Sequence, residues 1–250
     1  PATLAAIGTL MIPAMIAAGY NKSFSVGLVT TAGSLGLVIP PSITLIIYGA
    51  VTGVSIGKLF LAGIIPGLFL ASLLALYCGI YSWKNDLPLT QMPSRAEVWS
   101  ALKKASWGLG LPVVLLGGIY SGVFTPTESA AIACIYGLFV GVFVYRQIRA
   151  RELIDILKLA GLISATLLLI TAGASALSWL LATTGAPADI AKSMLEMTES
   201  RIGILVVLNI ILLLAGCVLD GASAVIILAP LLEPIAREVG IDPVHFGIIT

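Results

Sequence analysis

Asp220 is the residue of this chain that most needs a chemical partner. No charged residue lies between Arg201 and Asp220, or between Asp220 and Glu233, so its carboxylate falls in apolar sequence. An ionised carboxylate in such a place costs roughly 3 kcal/mol unless a cation or hydrogen-bond donors compensate it. Ser223, almost one turn on, offers a hydroxyl to a cation's shell, and Gly221 lets the chain reverse. The same aspartate can instead cap the amides that open the next helix, and the two roles are compatible. The pair Pro40-Pro41 marks a second place for an ion. Prolines have no amide hydrogen, so the last carbonyls before them lack helical donors and can present oxygens to a small hard cation. A plain kink in a packed helix is the structural alternative.

Other polar groups read more simply. Thr125-Pro-Thr-Glu128 has the form of a capping box with proline at the first helical position. His245 is the single histidine and has no cluster of ligands around it in sequence, so it is read as structural. Cys78, Cys134 and Cys217 sit far apart in apolar runs, without the spacing of a zinc site or redox pair. No Gly-Lys-Ser/Thr phosphate loop occurs, which argues against primary, ATP-driven transport by this chain.

The elements that position these groups must be membrane helices. Of 250 residues, 59% are hydrophobic and 10% charged, with a net charge of +1. A soluble surface needs about 25% charged residues, and a near-neutral chain has no field to recruit nucleic acid. Predominantly apolar runs cover 1–18, 24–52, 57–82, 106–124, 129–145, 159–182, 203–219 and 222–237, with Lys58 near the start of the third and Glu233 and Arg237 in the last. Most approach the roughly 20 residues that cross a bilayer as a helix, and none alternates like a barrel strand. Lys84 to Lys104 and Arg146 to Lys158 hold eight of the 13 basic residues, so both face the cytoplasm. Their amphipathic patterns, with Trp99, Leu102 and Trp107 in one and Leu153, Ile154 and Leu157 in the other, suggest horizontal interfacial helices. Run 24–52 should be a helix broken at Pro40-Pro41, and 203–237 a re-entrant hairpin turning at Asp220-Gly221.

An offset of 221 residues aligns Leu10 with Leu231, Pro13 with Pro234, Gly19 with Gly240 and Asn21 with Asp242. Inverted repeats that carry broken helices are a common transporter architecture. The same offset puts the partner of Gly221 before Pro1 and the partner of Pro40-Pro41 beyond Thr250. The first hairpin tip and the second broken helix are therefore expected in a longer polypeptide.

Gly33-Ser-Leu-Gly-Leu-Val-Ile-Pro-Pro-Ser42, the run from Tyr48 to Gly67, Gly117-Gly-Ile-Tyr-Ser-Gly-Val-Phe-Thr-Pro-Thr-Glu-Ser129, Leu219-Asp-Gly221 and Gly240-Ile-Asp-Pro-Val-His-Phe-Gly247 closely resemble the large permease subunit of TRAP transporters, the tripartite ATP-independent periplasmic systems. The resemblance runs from end to end. It implies an all-α polytopic protein of the bacterial inner membrane, with inverted repeats, re-entrant hairpins and an elevator motion. It also implies sodium-driven import of an organic acid, such as a C4-dicarboxylate, a sialic-acid-like solute or a related carboxylate. The implied partners are a small membrane subunit and a periplasmic substrate-binding protein.

On that resemblance, sodium (Na+) ligands are backbone oxygens around Gly36, Ile39 and Pro41, with Asp220 and Ser223 at the second hairpin. Ser42 and Thr44 after the prolines, and Thr183 at the end of another span, are candidates for the substrate cavity; capping of helix ends is their alternative. The expected division is a first-repeat transport part in 1–56, a scaffold in 57–202 and a second-repeat hairpin in 203–250. Two competing functions remain at this stage. A proton-coupled exchanger of another fold would titrate Asp220 or Glu128, and an intramembrane protease would need a second carboxylate or a serine with a histidine base.

Overall fold

The computed structural model describes residues 2–85, 94–185, 189, 192–193, 201–219 and 221–250. Among the described residues every regular element is helical. The order is α1 (Ala2–Ala17), α2 (Lys22–Val38), α3 (Ile43–Thr52), α4 (Ile56–Lys84), α5 (Arg95–Tyr120) and α6 (Pro126–Phe139). A π-helical turn at Val140–Val144 follows, then α7 (Ala150–Thr184), α8 (Arg201–Gly216), α9 (Gly221–Glu238) and α10 (Pro243–Ile249). Lys22–Thr52, Ile56–Lys84, Pro126–Val144 and Glu152–Leu177 are long and apolar enough to cross a membrane. Large apolar side chains stay bare on these helices, as with Leu168 at 70% and Leu169 at 77% exposure, which suits a lipid-facing wall.

Local chemistry sets the ends of these helices. Asn21 caps α2 by accepting from the Ser23 amide at 2.8 Å, and Gly53, at φ 75, takes the left-handed position that closes α3. Thr125 and Glu128 form the expected reciprocal box at the start of α6. Ser94 and Glu97 form a second one at the start of α5, which the sequence also spells as Ser-x-x-Glu. The Ser94 amide and hydroxyl hold the exposed Glu97 carboxyl below its ordinary range.

Neither amphipathic stretch forms a separate horizontal helix. The stretch from Arg95 continues without interruption into the apolar half of α5, and the one from Ala150 continues into α7. Nothing at 105–108 ends a hydrogen-bond ladder, so the wet first turns extend the spans; at about 1.5 Å per residue both helices exceed the roughly 30 Å of hydrocarbon.

One core joins α3, α4, α8, α9 and α10: Tyr48, Phe60, Leu208, Ala229 and Phe246 are all 1% exposed or less. This core crosses the expected boundary at 56/57, because Leu59 and Phe60 at the start of α4 are buried in it. The N-terminal half of α4 therefore packs with α3, α8, α9 and α10. Between membrane helices such packing needs small residues that let backbones approach. Gly63 and Gly67 supply them, facing Val38 and Ile39 respectively.

The repeat is visible bond by bond. Gly19 (φ 92) and Gly240 (φ 77) both turn left-handed after their helices. The Tyr20 amide reaches back to the Met15 carbonyl at 3.0 Å, and the Ile241 amide to the Ala236 carbonyl at 2.9 Å. Asn21 and Asp242 then cap α2 and α10. The two turns lie at opposite ends of α4. Phe24 stacks on Tyr81 with centroids 3.5 Å apart, whereas the Tyr48 hydroxyl donates to the Pro243 carbonyl at 2.9 Å and Gly247 lies against Leu59. Leu59 and Tyr81 are separated by about 33 Å of helix. From those ends α2 and α10 both run toward Gly63, where Val38 and Ile248 meet, so the halves are inverted.

Candidate functional site

The break in the first repeat is built from missing donors. Pro40 and Pro41 cannot supply the amides that the carbonyls of Gly36 and Leu37 would accept in a continuous helix. The chain leaves the helix at Ile39 (φ −76, ψ 123), and the Pro40–Pro41 peptide is cis. Leu37 finds substitutes: its carbonyl accepts the hydroxyls of Ser42 and of Thr44, the latter at 3.0 Å. These two hydroxyl oxygens lie 2.8 Å apart. Ser42, fully buried, also caps α3 by accepting the Leu45 amide at 3.4 Å.

This corrects one expectation. The last carbonyls before the prolines are not all free, because Leu37 is latched to the start of α3. Gly36 is exposed, with open space around its α-carbon; Ile39 is half-buried with its side chain on Gly67; Pro41 is exposed. Ser42 is committed to the latch, while Thr44 is half-buried and shares in it. Thr183 is at the end of α7, and its hydroxyl turns back to the Leu180 carbonyl at 2.8 Å. His245 heads α10, exposed, with its amide held by Asp242.

The second hairpin comes to this break. Asp220 itself lies outside the described residues. Its neighbour Gly221 begins α9, and a β-carbon on Gly221 would stand 3.8 Å from Leu37 and 3.9 Å from Thr44. Ser223 follows, half-buried. Thus the break meets the head of α9 through Leu37 and Thr44, and Gly36, Ile39 and Pro41 lie within three residues of one or the other in sequence. Among the described residues no three His, Cys, Asp or Glu side chains gather as a metal cluster, so backbone and hydroxyl oxygens are the donors this locality offers.

The break also has polarity. α2 ends there, directing the negative end of its dipole and its terminal carbonyls inward; α3 starts there, directing amides from the other side. A cation and a carboxylate can therefore be held side by side, each at the helix end that suits its sign.

Sequence reading missed three features. Gly63-Ile-Ile-Pro-Gly67 is a small-xxx-small motif, a signal that was present and marks where α4 takes in the break. The Tyr48–Pro243 bond joins residues 195 positions apart and left no local signal. Buried Glu233 holds Arg237 one turn on at 2.6 Å, a pair readable as i,i+4.

The whole chain, residues 1–250, matches the family described as "Tripartite ATP-independent periplasmic transporter, DctM component". It is 44% identical over its full length to the C4-dicarboxylate TRAP transporter large permease protein DctM of Pseudomonas aeruginosa, covering 58% of that protein. It is 41% identical to the protein of the same name from Rhodobacter capsulatus, covering all of this chain and 60% of that one. With the isethionate TRAP transporter permease protein DctMQ of Oleidesulfovibrio alaskensis it shares 42% identity, covering all of this chain and 39% of the other. The chain thus spans less than two thirds of the length of these relatives. Matched from Pro1 to Thr250, and built of inverted, broken membrane helices, this chain belongs to the DctM large-permease family of tripartite ATP-independent periplasmic transporters, an integral family of the bacterial inner membrane.

Proposed function

We propose that the full-length protein is the large membrane subunit of a sodium-coupled importer for a small organic anion. It works with a small membrane subunit and a periplasmic substrate-binding protein, and it moves its cargo by an elevator displacement. The observation that carries this reading is the meeting of Gly221 with Leu37 and Thr44, which brings a hairpin tip to a helix break inside a membrane protein.

Sodium suits the donor set. Carbonyl oxygens around Gly36, Ile39 and Pro41, with Ser223 and Asp220 supplying further oxygens, would hold a hard monovalent cation and supply a positive charge beside the substrate. The residues of this chain then do the remaining work. α3 offers its amide end to a carboxylate or sulfonate, Ser42 and Thr44 keep the two half-helices in register, and Gly63 seats the break against α4. The relatives named for a C4-dicarboxylate and for isethionate support a small organic anion as the class of cargo. The shared core supports α3, the N-terminal half of α4 and α8 to α10 as the body that moves together.

The test is uptake by the full-length complex in proteoliposomes, with sodium and proton gradients imposed separately and labelled succinate and isethionate as probes. An inward sodium gradient alone should drive accumulation of at least one probe. Accumulation driven by a proton gradient alone, without sodium, would contradict the reading and favour titration of a carboxylate.

A further inference from the structure

A cluster of cations lies far from the helix break, where α5 meets the end of α6. Lys103 and Lys104 are exposed on α5, and Arg146 is exposed just after the π-helical turn. Among the described residues none of the three has an ion-pair partner; Lys158–Asp155 and Arg237–Glu233 are the ion pairs found there.

The fold brings these charges together by specific contacts. The Tyr145 hydroxyl donates to the Lys104 carbonyl at 3.1 Å, and one turn deeper the Tyr136 hydroxyl donates to the Trp107 carbonyl at 2.8 Å. Gly108 leaves room for the first hydroxyl, 3.8 Å from where its β-carbon would be. After the π-helical turn the Gln147 amide bonds back to the Gly141 carbonyl at 3.0 Å, and Ile148 fills the space over Gly141 that a β-carbon would occupy. That reversal puts Arg146 in the left-handed region at φ 52, a conformation that disfavours side chains other than glycine. Arg146 is the chain neighbour of Tyr145, whose hydroxyl meets the Lys104 backbone, so the turn brings its charge to the same end of α5 as the two lysines.

Trp99, Lys103 and Trp107 stand at successive i,i+4 positions, so a cation lies between two indoles on one stripe of α5; the indoles are 72% and 46% exposed. Helical side chains lean toward the N-terminus, so both lysines reach away from the apolar half of α5. Positive groups flanked by indoles, with Trp107 at the boundary and hydrocarbon-facing residues beyond it, match one amphiphile, a negatively charged head on an apolar tail. An acidic protein face would match the charges but not the continuous apolar wall beneath them.

We infer that Lys103, Lys104 and Arg146 form a binding site for the headgroup of an anionic phospholipid at the cytoplasmic face. The site ties the α5–α6 hairpin to the lipid surface. The inference does not depend on sodium coupling or on the cargo.

The test is native mass spectrometry of the delipidated full-length protein with phosphatidylglycerol or phosphatidylcholine of identical acyl chains. Wild type should retain phosphatidylglycerol in preference, and each cation removed should weaken that preference about fivefold. K103Q/K104Q/R146Q should abolish it, whereas the charge-matched control K22Q/K58Q/K158Q should keep it. Tyr145→Phe, which removes the tether and no charge, should give an intermediate value and guards against misfolding of the triple variant. Equal retention of both lipids by wild type, or equal loss in the control, would overturn the inference. So would competition by millimolar inorganic phosphate, which would mark a site for free anions. A triple variant that keeps its lipid preference but loses the small subunit would assign this face to a protein partner instead.

Discussion

The carbonyl oxygen of Val38 lies directly against Gly63, so close that a β-carbon on Gly63 would stand 2.5 Å from it. The last turn of α2 is thereby seated on α4 at the point that Ile248, from the second repeat, also approaches. Gly63→Ala should cost roughly 1–3 kcal/mol by overpacking, because the obstructing atom is backbone. Thermal melting of the full-length protein in detergent checks this, with Gly79→Ala, which meets nothing within 4 Å, as a control expected to have little effect. Equal melting temperatures for the two variants would show that α4 does not grip the break.

Ser42→Ala removes a donor to the Leu37 carbonyl and the cap of the Leu45 amide together. The site is fully buried and water cannot readily replace the hydroxyl, so a loss of roughly 1–2 kcal/mol is expected. Thr44→Ala, at a half-buried position, should cost less. The reverse ranking in melting experiments would mean that Thr44 is the main latch.

Asp220→Asn in the full-length protein should weaken the sodium dependence of uptake while leaving membrane insertion intact, since Asp220 is the charged residue in the sequence between α8 and α9. Proteoliposomes made with the variant at equal protein density give the comparison. Unchanged half-saturation for sodium would leave Asp220 as a helix cap.

Orientation in the membrane is open to direct labelling. With Cys78, Cys134 and Cys217 replaced, single cysteines at Gln91, Gln147 and Ser193 should differ in intact cells treated with a membrane-impermeant thiol reagent. Only position 193 should react from outside, because the connections holding 91 and 147 carry most of the basic residues. Labelling at 91 or 147 would reverse the assigned sides, including the leaflet inferred for the lipid site.

What the sequence revealed depended on how local the cause was. Pro40-Pro41 announced the break because a missing amide hydrogen acts within four residues, and Thr125-Pro-Thr-Glu128 announced its cap for the same reason. Gly19 and Gly240, each followed by an amide-carboxyl capping residue, made the repeat legible. The latch on Leu37 was not legible: its acceptor is a backbone oxygen, and its donors are ordinary hydroxyls five and seven residues on. Amphipathicity in Arg95 to Trp107 showed which residues could be wet, but it contains no information on the angle between that stretch and the span it joins. The packing of Leu59 and Phe60 into the core that Tyr48 occupies was not legible either, because the turn between α3 and α4 does not encode which faces meet.

The central claim is that the break between α2 and α3 creates the sodium site. Sodium activation of uptake by the reconstituted full-length complex, comparing wild type with Pro40→Ala/Pro41→Ala, tests it most directly. Restored amides should let the half-helices join and withdraw the carbonyls, raising the sodium concentration for half-activation at least tenfold while the protein still inserts and melts cooperatively. A double variant that transports with unaltered sodium affinity would contradict the account.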